Sequence, residues 1–137
     1  MIRPIVKDNF LLSRKSLPAD KNDMQTVQDM VETIAAHSHE CVGMAANMIG
    51  VLKRIIVFEE NGKYVVMINP TLTWASRETY AADEGCLSHE GTRSVTRHSM
   101  IEVEFLDLRM KKCKKKYGGF TAEIIQHELD HLEGILV

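Results

Sequence analysis

The stretch Gln126-His127-Glu128-Leu129-Asp130-His131 governs how the rest of the chain is read. Around it, Ile124, Ile125, Leu129 and Leu132 recur at helical spacing, Gly118-Gly119 opens the segment and Gly134 stands where a helix C-cap is expected. On a helix, two histidines at i and i+4 project from one face and can bind one metal ion. The glutamate beside the first histidine can then reach a metal-bound water. Solvated helix positions are the competing reading. It is disfavoured because the helix is apolar on the face leading up to the histidines, so they point toward a core, where unpaired imidazoles need partners.

Two histidines leave a metal site short of a ligand. Only six residues follow His131, too few for the downstream carboxylate of a thermolysin-like site. The position where a metzincin would carry a third histidine is Val137. The ligand therefore has to come from upstream. Cys86 is the best candidate, in Glu84-Gly85-Cys86-Leu87-Ser88, where a preceding glycine lets backbone approach a site. Cys41 and Cys113 lack that setting, and His37, His39, His89 and His98 lie in polar, turn-like surroundings. A structural metal site would want four protein ligands, and only three good ones are found.

Farther out, Asp23 to His37 carries Met24, Val27, Met30, Val31 and Ile34 at helical spacing, with Asp20, Asn22 or Asp23 as N-cap, and reads as an amphipathic helix covering a sheet. The small, apolar run Cys41 to Gly50 reads as a tight strand beside a site or as a packed crossing. Residues 54–59 and 63–69 flank Asn61-Gly62, the signature of a type I′ hairpin, and Pro70 is expected to end the second strand. A further pair is expected at 100–106 and 109–117, where Ile101, Val103 and Phe105 alternate with Glu102 and Glu104. Lysines 111, 112 and 114–116 suggest either an RNA or ribosome contact or protection of an edge strand, and the latter is preferred. The fold class expected is α+β: compact antiparallel sheets around a central helix bearing the HExxH motif, with an amphipathic helix near the N-terminus, as a single domain over residues 1–137.

Composition excludes several classes of function. The chain has 137 residues, 45% hydrophobic and 26% charged, with a net charge of -2. That is ordinary for a globular domain and leaves no electrostatic footprint for DNA. No apolar run approaches the ~20 residues of a bilayer span. The first residues, broken by Arg3, Pro4, Lys7 and Asp8, offer no signal-peptide core. Three cysteines cannot close a disulfide set. A cytoplasmic chain with reduced thiols is expected.

Three segments, Gly43-Met44-Ala45-Ala46, Glu84-Gly85-Cys86-Leu87-Ser88 and Gln126 to His131, resemble the peptide deformylases in order and spacing, over nearly the whole chain. The resemblance implies a metal-dependent hydrolase that removes the formyl group from the N-terminal formyl-methionine of nascent polypeptides. It implies one divalent metal held by Cys86, His127 and His131, ferrous iron first, with zinc, nickel or cobalt able to substitute. Glu128 would move the proton, and the Leu87 backbone N–H would help hold the oxyanion. Val42, Gly43, Met44 and Ile124 would contact the substrate, with Arg93 at the entry. Gln126 and Asp130 would support the ligands. Formyl-methionyl nascent chains and a transient ribosome contact are the implied partners.

The chain departs from the family pattern at two positions. Cys41 stands at the first glycine of the first segment, and Met48 stands at its glutamine. Methionine has no hydrogen-bond donor, and loss of one oxyanion donor typically costs ~10²–10³ in rate. Asn47 carries an amide, but on an extended strand it would face the other way. The chain also lacks the C-terminal helix or strand of many relatives. Met48 thus opens an alternative, a weak or inactive metal-binding relative that recognises blocked N-termini. An intact Glu128 favours the enzyme.

Overall fold

The computed structural model describes residues Met1–Val137. Three helices, α1 (Asn9–Leu12), α2 (Met24–Ala36) and α3 (Gly119–Leu132), accompany seven strands. The strands are β1 (Gly43–Ala45), β2 (Ile55–Glu60), β3 (Lys63–Ala75), β4 (Thr79–Cys86), β5 (His89–His98), β6 (Met100–Leu106) and β7 (Lys112–Gly118). One antiparallel sheet runs β1-β2-β3-β6-β7, and β4 and β5 form a separate hairpin. The fold is α+β, as expected.

Strand β2 explains the layering. Successive side chains of a strand point to opposite faces. Ile55 and Val57 join a core with Val27, Met30 and Ile34 of α2, whereas Ile56 and Phe58 join a second core with Ile125 and Leu132 of α3. All four β2 residues are fully buried, so the strand is covered on both faces and α3 lies against the sheet on the side opposite α2. Phe58 meets Tyr117 of β7 edge-on, with ring centroids 6.0 Å apart, inside the α3 core.

The hairpin at Asn61-Gly62 forms with both residues in the left-handed region (φ 52° and 78°), as a type I′ turn demands. Pro70 does not end β3. The ladder shifts register between Ile68 and Thr71, with Asn69 at φ 52°, and the strand continues to Ala75 against β6. The bulge absorbs the residue that cannot donate. Strand β7 is the sheet edge, and its lysines are partly neutralised across the ladder, Lys112 by Glu104 and Lys114 by Glu102, while Lys116 lies over the Trp74 ring. This arrangement suits edge protection.

Helix α2 is preceded by a 3-10 turn (Lys21–Asp23) whose capping box pairs Asp20 with Asp23, so Asp20 caps the turn rather than α2 itself. At the other end of the chain, Gly134 (φ 77°) terminates α3. A Cβ there would come within 2.4 Å of the Ser13 carbonyl, so only glycine fits. No helix is long and apolar enough to cross a membrane.

Candidate metal centre and cleft

Helix α3 presents His127 and His131 toward the β4–β5 hairpin, and both imidazoles are buried. Cys86, the last residue of β4, faces them. Its Sγ lies 3.4 Å from His131 Nε2, and the two histidine Nε2 atoms are 3.2 Å apart. The three donor atoms lie within 4.8 Å of one another. With metal–sulfur bonds of about 2.3 Å and metal–nitrogen bonds of about 2.0–2.1 Å, neighbouring donors on a tetrahedron are separated by about 3.3–3.6 Å. The cluster therefore fits one small divalent ion with a coordination position left over. Gly85 places Cys86 by a different route from the backbone freedom expected of it. Its φ is not positive, and a register shift between Gly85 and Cys86 turns the end of β4 toward α3.

Burial keeps the two imidazoles in the neutral form that a metal takes. Burial, then the neighbouring His127, lowers the His131 pKa to about 3, and burial likewise lowers that of His127, so both imidazoles are neutral. Burial and the Glu128 charge push the Cys86 thiol up to about 11. A bound cation opposes that shift by favouring the thiolate. The Ser88 N–H also donates to Cys86 Sγ at 3.5 Å.

Behind the donors lies a network in which Asp130, expected to support the ligands, is joined by Glu84 and Arg97. Glu84 Oε1 accepts from His127 Nδ1 at 2.7 Å, which leaves Nε2 free to ligate. Arg97 of β5 grips both Glu84 oxygens (2.6 and 3.0 Å) and reaches Asp130 Oδ2 at 2.6 Å. Burial raises the Glu84 pKa, but the hydrogen bonds from Arg97 and His127 outweigh it and hold the carboxyl below its ordinary value. The position of Glu84 two residues before Cys86 on a strand was the available signal. Arg97 had none, because residues 79–98 show no clear apolar alternation. Gln126 serves the fold: its amide clamps the His98 main chain from both sides (2.8 and 2.9 Å), fastening α3 to the end of β5.

In front of the donors opens a cleft of about 240 Å³, whose walls include Val42, Gly43, Met48, Leu87, Ile124 and Glu128, besides Cys86 and His127. Glu128 is fully buried, with Oε1 unpaired, and burial followed by the Glu84 charge raises its pKa well above the usual carboxylate range. Gly43 must be glycine, because a Cβ there would lie 2.7 Å from Ile124 Cγ2 and 2.8 Å from Glu128 Oε2. Gly43→Ala is expected to displace Glu128, cutting turnover while leaving metal content intact, at about 1–3 kcal/mol of stability. Parallel formate-release, metal and urea-denaturation measurements check this.

The side chains of Met44 and Arg93, both expected near the substrate, are turned to other partners. The Met44 side chain is fully buried in the α2 core, not on the cleft wall. Arg93 is not among the wall residues, and its Nη1 donates to the Leu136 carbonyl at 2.7 Å. Cys41 does line the cleft, its Sγ donating to the Gly43 carbonyl at 2.9 Å, and exposed Phe120 adds an aromatic edge. Asn47 is not on an extended strand. It lies in a 3-10 turn (Ala46–Ile49), and its amide turns away from the cleft to the His131 main chain.

Two histidines of an HExxH helix and a cysteine from the end of β4, beside a cleft lined by the buried Glu128, define the class as metal-dependent hydrolases. Residues 2–137 match the family model for polypeptide deformylase, and the chain belongs to the peptide deformylase family, hydrolases that remove N-terminal formyl groups. It is 49% identical over 137 residues to the peptide deformylase of Clostridium beijerinckii, covering all of both chains. The fold superposes on the class I type b peptide deformylase of Acinetobacter baumannii with Met-Ala-Ser bound (TM-score 0.90, 30% identity, 99% and 97% of the two chains). It also superposes on the peptide deformylase of Thermotoga maritima (TM-score 0.88, 32% identity, 99% and 94%).

Proposed function

We propose that Cys86, His127 and His131 hold a single ferrous ion, for which zinc, nickel or cobalt can stand in, and that residues 1–137 act as one domain on formyl-methionyl nascent chains in the cytoplasm, met in transient contact with the ribosome. The observation that carries this reading is the donor triangle facing the unpaired carboxylate of Glu128 across a cleft. A soft thiolate beside two imidazoles suits iron or zinc rather than magnesium or calcium. When bound, the ion acidifies a water molecule and polarises the formyl oxygen.

The remaining steps belong to the chain. Glu128 takes a proton from the attacking water as its oxygen bonds to the formyl carbon, and delivers it to the leaving nitrogen as the C–N bond breaks. Formate and a free N-terminal amine result. The Leu87 N–H holds the developing oxyanion, the main chain of residues 42–44 aligns the substrate backbone, and Ile124 borders the methionine side chain. Glu84, itself gripped by Arg97, fixes the His127 ring so that Nε2 points toward the other donors and would be free to hold the ion.

The deciding experiment is formate release from a formyl-methionyl peptide by protein loaded anaerobically with ferrous iron. Turnover well above a Glu128→Ala blank is expected. No turnover from metal-loaded protein would restore the reading as a binding relative. Cys86→Ala should reduce metal content after desalting from one equivalent to nearly none, because two imidazoles alone hold an ion weakly. Unchanged metal content would overturn the ligand assignment.

A further inference from the structure

The two histidine ligands are held in different ways. His127 has its second ring nitrogen fixed by Glu84 at 2.7 Å. The His131 ring has no such support, since its Nδ1 is buried and bonds to no protein group. Its orientation therefore rests on its main chain, which lies in the last turn of α3, where carbonyls run out of helical partners. Of those terminal carbonyls, that of His131 accepts from the Gly134 N–H at 3.0 Å and, from 84 residues away, from Asn47 Nδ2 at 2.9 Å.

Asn47 is built for that contact. It is completely buried, in the 3-10 turn Ala46–Ile49 that also sets Met48 on the cleft wall, and it spans from this turn to α3. We propose that Asn47 is a positioning residue for the metal site, whose side-chain amide anchors the main chain of His131 and thereby substitutes for the ring hydrogen bond that His131 lacks. An amide fits this task because it can donate to a carbonyl without bringing charge into the core. A side chain of similar size without a donor would fill the space and leave the last turn of α3 free to shift. A shift of a few tenths of an ångström in a ligand matters to an ion whose bonds are short and directional.

This inference rests on the assignment of Cys86, His127 and His131 as ligands, so the test separates the two. Cobalt serves as probe, because its visible absorption reports ligand geometry without any turnover. Asn47→Leu and the smaller Asn47→Ser are compared with wild type, with Cys86→Ala, and with Thr33→Val. Thr33 is fully buried on α2, on the other side of the sheet from α3, and bonds the Asp29 carbonyl and the Arg3 N–H, so its variant controls for general loss of stability.

Both Asn47 variants are expected to weaken cobalt binding in a chelator competition by about tenfold or more, the usual result of removing a group that orients a ligand. They should also alter the visible bands, and Thr33→Val should do neither at a comparable loss of melting temperature. Wild-type affinity and spectrum in either folded Asn47 variant would overturn the proposal. A cobalt spectrum in Cys86→Ala identical to wild type would overturn the ligand assignment instead.

Discussion

Glu128→Ala is expected to bind a full equivalent of metal and to deformylate ~10²–10⁴-fold more slowly than the native chain, the usual worth of a positioned general acid–base. Glu128 contributes no atom to the donor triangle, so the ion has no reason to leave. Its carboxyl occupies the space between Gly43 and the ligands, with Oε1 unpaired. A buried acid without a partner opposes folding. The variant should therefore melt no lower than the native chain, because relief of that desolvation offsets the small cavity left behind. Metal analysis, calorimetry and formate release together make the test. Loss of metal along with activity would mean that Glu128 is a ligand and that the roles are misassigned.

Met48→Gln is expected to raise kcat by ~10²–10³, equivalent to about 3–4 kcal/mol of transition-state stabilisation, with little change in KM. Met48 lies on the cleft wall, almost fully buried, where a glutamine of nearly the same length would direct an N–H toward the formyl oxygen. Methionine offers that oxygen nothing. The neighbouring amide cannot replace it, because Asn47 is not on the cleft wall and its Nδ2 is directed to the His131 carbonyl. Burying a second amide in the α2 core costs about 1–3 kcal/mol of stability wherever its other atoms lack partners, so rate and denaturation midpoint should be measured together. An unchanged kcat would mean that another group supplies the donor and that the cleft works differently from its relatives.

The site was legible in proportion to how local its geometry is. The histidine pair needs only the pitch of a helix to converge. Cys86 stands out among three cysteines by its neighbours, and its Sγ lies 3.4 Å from His131 Nε2. Glu84 and Arg97 are not legible in the sequence, because what gives them meaning is the pairing of β4 with β5, a ladder of mostly polar residues in which Glu84 stands opposite Arg93. Such a hairpin is built by contact with α3 rather than by its own apolar pattern. Pro70 was misjudged for a related reason: a proline rule assumes a regular ladder, and the sheet accommodates Pro70 with a bulge.

By itself, the sequence determined what depends on short spacing and on residue chemistry: the two helices with strong periodicity, the type I′ turn at Asn61-Gly62, the α+β class, and an HExxH helix in a member of the peptide deformylase family. Backbone stereochemistry and side-chain period act over a few residues, so they can be read along one line of text. Only the tertiary structure decided which groups stand behind the donors and which merely lie near them in the chain. It assigned Glu84 to the His127 ring, Asn47 to the His131 main chain, Arg93 to the Leu136 carbonyl and Met44 to the core. Each of those outcomes depends on partners 43 to 84 residues apart or on which face of a strand is covered, and packing between distant elements settles both.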